Sequence, residues 1–107
     1  MAYSAAELLL ALPPRPLRPD ERMLLGEWLS AAGDIASAFF SERRVDDPAL
    51  YRRIVICEDA DAGPSYLIHA PLSIDTWITL SVGNASEARS FASLREALNS
   101  IRPVLDR

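Results

Sequence analysis

Residues 51–82, YRRIVICEDADAGPSYLIHAPLSIDTWITLSV, decide the fold class. Ile54-Val55-Ile56-Cys57 is apolar at every position, so a strand from Tyr51 to Glu58 has no polar face to give to water and belongs in the interior of a sheet, covered on both sides. Asp59 to Pro64 follows as a turn segment, with Gly63-Pro64 as its strongest punctuation. Ser65 to Ala70 reads as a second strand and is stopped by Pro71, which has no amide to give to a ladder. Thr76 to Val82 alternates, with Ile78, Leu80 and Val82 on one face and Trp77, Thr79 and Ser81 on the other. Connections of about six residues are too short for parallel crossovers, which need roughly a dozen or more, so the three strands are expected to form an antiparallel meander.

Upstream, Pro13, Pro14, Pro16 and Pro19 forbid a helix through the connector that holds them. Before it, Ser4-Ala5-Ala6-Glu7 has the form of a capping box and predicts a short helix over about residues 5–12. After it, Pro19 suits the first turn of a new helix, and Asp20 and Glu21 place negative charge at its positive end. Leu25, Trp28, Leu29, Ala32, Ile35, Ala36, Phe39 and Phe40 recur at steps of three and four, which predicts one long helix over about residues 19–43. Beside this apolar stripe runs a stripe of small residues, Gly26, Ser30, Gly33, Ser37 and Ser41. Two glycines inside a helix cost roughly 1 kcal/mol each relative to alanine, which suggests a close backbone approach, either by another helix of this chain or by a second copy.

Downstream, Asn84-Ala85-Ser86-Glu87 and Ser93-Leu94-Arg95-Glu96 are both plausible capping boxes. The spacing of Phe91, Leu94, Leu98, Ile101 and Leu105 favours a last helix that starts near residue 85. The alternative is a Gly83-Asn84 turn into a short fourth strand near residues 86–91, in a register that sets Ile78 opposite Arg89 and Leu80 opposite Glu87. The expected class is therefore α+β, in the order α-α-β-β-β-α, with a small antiparallel sheet packed by helices. It is expected as one domain over 1–107: an N-terminal helix and connector over 1–18, the long helix, and the sheet with the C-terminal helix over 50–105.

Bulk composition sets limits on function. Of 107 residues, 50% are hydrophobic and 24% charged, so burial suffices to fold the chain without disulfides or metal. Cys57 is the single cysteine, and no signal-peptide pattern opens the sequence, so the cytoplasm is the expected compartment and no membrane partner is expected. All the basic residues are arginine and the net charge is −4. The arginine bias is read as the codon preference of a GC-rich bacterial or phage genome.

No motif supports catalysis, a cofactor or a metal. His69 and Cys57 are the one conceivable nucleophile and base pair, but a cysteine in an apolar strand behaves as a small buried hydrophobe. Glu58, Asp59 and Asp61 lack the calcium-loop pattern and read as a solvated turn. Four scattered glycines form no phosphate cradle.

Trp77 lies on the half-polar face of its strand, to be covered by a helix or kept for a partner, with Tyr66 near it. The leading expectation is a non-catalytic protein-interaction, regulatory or inhibitor module, with itself as a candidate partner in a homodimer, using Gly26, Ser30, Gly33, Ser37, Tyr66 and Trp77. One alternative is a small-ligand binder or enzyme with a pocket at Tyr66, His69, Asp75 and Trp77; another is a nucleic-acid binder through Arg43, Arg44, Arg52 and Arg53.

Overall fold

The computed structural model describes residues 14–41, 52–72, 76–82 and 84–105, with the backbone alone for 84–87. The helix expected over residues 5–12 lies outside them. The architecture is α+β. A helix α1 (Pro19–Ala32) leads into five strands, β1 (Ser37–Ser41), β2 (Arg53–Cys57), β3 (Tyr66–His69), β4 (Trp77–Ser81) and β5 (Asn84–Phe91), and a helix α2 (Leu94–Ile101) follows. The strands form one antiparallel meander in the order β1-β2-β3-β4-β5. The three strands expected over residues 51–82 are its centre.

The long helix expected over 19–43 is corrected. It begins at Pro19 with Asp20 and Glu21 in its first turn, as expected, but ends at Ala32. Gly33 takes φ +63° with ψ −44°, a non-helical conformation that ends the helix and that glycine adopts because it has no Cβ to strain. The helical spacing continues past that point by coincidence, because five residues of Ser-Ala-Phe-Phe-Ser are too few to tell a period of 3.6 from one of 2. What decides their conformation is tertiary: β1 supplies the outer neighbour of the apolar strand β2, with Phe39 opposite Val55 and Phe40 opposite Ile54.

The early start of the last helix is corrected as well. Residues 84–91 are a strand, and α2 starts at Leu94 behind the second capping box: the Ser93 hydroxyl accepts from the Glu96 amide at 3.2 Å, and the Glu96 carboxylate accepts from the Ala92 amide at 3.1 Å. A bulge removes the mismatch that the simple hairpin register implied. Ser81 pairs with Asn84 but Leu80 pairs with Ala88, so residues 85–87 bulge out of the ladder. Leu80 thereby meets alanine and Ile78 meets Ser90, while Arg89 moves opposite Thr79.

Both helices pack on one face of the sheet. Trp28, Leu25, Leu94, Ala97 and Leu98 from the helices meet Ile54, Ile56, Ile68 and Trp77 from the strands. The indole N–H of Trp28 donates to the Arg102 carbonyl at 3.0 Å, which satisfies the one polar atom of a completely buried ring. Arg102 then spans three elements: its guanidinium reaches Asp34 beyond α1 at 2.9 Å and Glu58 beyond β2 at 2.6 Å, and both acids hold its pKa above the ordinary value. The opposite face carries a smaller buried cluster of Val55, Leu67 and Leu80.

Candidate interaction surface

The proline-rich connector is strapped across the helical side of the sheet. Pro14 bridges to Pro71, and the Arg15 amide donates to the Ala70 carbonyl at 2.8 Å. The Arg15 guanidinium lies 4.8 Å from the centre of the Trp77 ring and makes a two-pronged bond to the Glu21 carboxylate, at 2.9 and 2.7 Å. Glu21 also accepts from the Arg18 amide at 2.8 Å, so one carboxylate caps the start of α1 and anchors the strap. Burial pushes the Glu21 carboxyl up, but the Arg15 hydrogen bonds, the Arg18 amide and the positive charges of both arginines together bring it below its ordinary pKa.

This strap decides the status of Trp77. The ring is 7% exposed and is covered within the chain by Arg15 and the helical core, so it is not held out for a partner. Tyr66 is half-buried at the margin of the same core.

The four residues of the expected ligand pocket do not converge. Tyr66 and Trp77 share the helix-covered face, whereas His69 points to the other one and is 1% exposed. Asp75 lies outside the described residues. The pairing of β2 with β3 also keeps His69 from Cys57, because it sets His69 at the level of Arg53, four residues or about 13 Å along the strand. No nucleophile and base pair forms there. Among the described residues, no group of three or more His, Cys, Asp or Glu is placed to hold a metal ion.

The arginine cluster is dispersed in the part that is described. Arg53 is 3% exposed and inaccessible to a phosphate backbone, and Arg52 takes a left-handed φ of +54° at the entry to β2 with its amide bonded to the Ser41 carbonyl. Arg43 and Arg44 lie outside the described residues.

The small-residue stripe is not one helical ridge. Gly26 and Ser30 are on α1, Gly33 ends it, and Ser37 and Ser41 are on β1. Among the described residues no heavy atom lies within 4 Å of the Cβ position at Gly26 or Gly33, so no close backbone approach by them explains either glycine. Gly26 instead opens onto a shallow hollow of about 200 Å³ between α1 and β1, lined by Leu25, Leu29, Ala38, Phe40 and Arg22. The Arg22 guanidinium sits 5.4 Å from the Phe40 ring at its rim.

Phe39 and Phe40, which the helical spacing assigned to the core stripe, frame this surface. Phe40 and Ala38 face the helix side, while Phe39 is 48% exposed on the other. The overlooked signal was composition: Ser37 to Ser41 carries no charge and no proline. As the first strand of the sheet, β1 is paired on one side only among the described residues, which leaves backbone donors and acceptors along its outer side.

A second hollow, of about 220 Å³, is lined by Tyr66, Thr79, Ser81, Arg89, Ser100 and Ile101. Its hydroxyls and guanidinium suggest an anion, but it sits at the carbonyl end of α2, where the helix dipole disfavours negative charge. That end suits Arg89 itself, whose guanidinium stacks 5.4 Å from the Phe91 ring. No described helix is long and apolar enough to cross a membrane. Comparison with protein-family models, with curated proteins and with solved structures finds no match to this chain.

Proposed function

We propose that this chain is a non-catalytic protein-binding module, of regulatory or inhibitory kind and acting in the cytoplasm, that presents the β1 side of its sheet to a protein partner. The observation that carries this reading is the half-exposed Phe39 on an uncharged terminal strand, whose other face borders a hollow over Gly26 that none of the described residues fills. An extended backbone edge with an aromatic anchor and an adjoining apolar hollow recognises polypeptide, through main-chain hydrogen bonds and side-chain pockets together. The catalytic alternative loses its support in the separation of His69 from Tyr66 and Trp77, and the nucleic-acid alternative loses Arg53 to burial.

The test is a photo-crosslinking amino acid placed at Phe39, with Asp61, exposed in the turn after β2, as the control position. In cells of the native host, position 39 should yield a discrete crosslinked protein species, of this chain or another, and position 61 should not. No species from position 39, or the same species from both, overturns the reading.

A further inference from the structure

We propose that the partner of the β1 edge is a second copy of this chain, joined strand to strand in antiparallel fashion about a two-fold axis through Phe39. The proposal rests on the reading of the β1 side as a protein-binding surface and names its occupant.

The first argument is the contrast between the two ends of the sheet. The last strand, β5, is guarded, because its ladder is broken by the bulge at residues 85–87 and its sequence carries Glu87 and Arg89. Bulges and charges are the devices by which an edge avoids pairing with another chain. β1 has neither: its five pairs to β2 run without a register shift, and no residue in it is charged.

The second argument is the symmetry of the strand. Ser37-Ala38-Phe39-Phe40-Ser41 nearly reads the same in both directions. Antiparallel pairing about Phe39 sets Ser37 opposite Ser41 of the second copy, Ala38 opposite Phe40, and Phe39 opposite Phe39. On the helix side each large ring meets a small methyl group, twice, as a two-fold contact requires. The Phe40 ring of the second copy then stands beside Ala38, at the hollow over Gly26. On the other side the two Phe39 rings meet as a cross-strand aromatic pair. A charged side chain at the centre of such a strand would face its own like charge, so the uncharged composition is the electrostatic condition for this partner.

The third argument is size. Five residues span about 17 Å, and with the hollow beside them the contact falls at the small end of specific interfaces. The dimer is therefore reversible, with a dissociation constant in the micromolar range or weaker, and the edge is available to monomer as well.

Sedimentation equilibrium of the full chain over a wide concentration range tests the proposal. Wild type should show a monomer–dimer equilibrium. Phe39→Lys, at an exposed position, should raise the dissociation constant by about tenfold or more through like charges across the axis. Gly26→Leu should weaken the dimer independently by filling the hollow from within. Met23→Lys, on the flank of α1 that faces Arg95, should leave it unchanged. Far-UV circular dichroism matching wild type in all three separates lost association from lost folding. Wild type that stays monomeric to millimolar concentration, or a dimer indifferent to both Phe39→Lys and Gly26→Leu, overturns the proposal. If the crosslinker at position 39 still captures a different protein, the second copy is wrong while the binding surface stands; if it captures nothing, both fall.

Discussion

The two faces of the sheet are buried by different means. On the helix side, α1 and α2 lay Trp28, Leu94 and Leu98 onto Ile54, Ile56, Ile68 and Trp77, and polar links through Arg102 and Glu21 tie the layers together. On the other side, among the described residues, Val55, Leu67 and Leu80 form a buried cluster, with Ile78, His69 and Arg53 buried on the same face, although neither described helix lies there. A strand buried on both faces reads in sequence as a plain apolar run and says nothing about which face carries the larger layer. That difference emerges only from where the helices go, and it predicts unequal stability costs.

The largest effect is expected on the helix side. Trp28→Ala removes a fully buried ring and leaves the Arg102 carbonyl without its donor, which should cost about 3–5 kcal/mol. For a domain of this size that is a large share of the total, and urea denaturation should show a much lower midpoint or no cooperative transition. A loss below about 1 kcal/mol would mean that the helices are not what holds the sheet.

Leu80→Ala probes the opposite face. Leucine deletions in cores span about 2–5 kcal/mol, and the small size of this cluster places the expected value near the lower end, about 2 kcal/mol. Equal costs for Leu80→Ala and Trp28→Ala, measured in the same denaturant series, would abolish the distinction between a major and a minor core.

Much of this organisation was legible in the chain, and the failures have physical causes. The three central strands, their antiparallel order and the start of α1 at Pro19 followed from apolar runs, loop lengths and proline chemistry. Of the two outer strands, β1 went unrecognised and the strand near residues 86–91 stood only as the alternative to a helix, because each imitates a helix over a short window. Ser37 to Ser41 continues the phase of α1 after a glycine that breaks it, and residues 84–91 hide their pairing behind a bulge that no spacing rule announces. One signal did point to the first of them: a meander of three strands leaves Ile54-Val55-Ile56-Cys57, the most apolar strand, at an edge, where a strand apolar on both faces does not belong. Trp77 could not be placed from sequence, since its cover comes from Arg15, far away along the chain and on an irregular connector. The exposed aromatic surface at β1 was missed with the strand, because Phe39 counts as core in a helix and becomes exposed in a strand.

The smallest effect concerns pH and belongs to the helix side alone. Glu21 is held ionised by Arg15 and by the Arg18 amide, with its pKa below the ordinary glutamate value despite the burial that opposes it. A carboxyl whose pKa is lower folded than unfolded adds stability above the unfolded value and loses that stability as pH falls through the folded one. At neutral pH, Glu21→Gln should therefore cost about 1 kcal/mol, the scale of a helix cap and a partly buried ion pair. The gap between wild type and Glu21→Gln should stay constant from neutrality down to the ordinary glutamate range and close below it, because only wild type gives up the charge. Thermal midpoints of the two proteins, taken in parallel from pH 7 to about pH 2.5, read that gap with the other carboxylates cancelling between them. A gap unchanged to the acid end would show that the carboxylate acts at Arg15 through shape and not through charge. The strap over Trp77 would then be insensitive to acid.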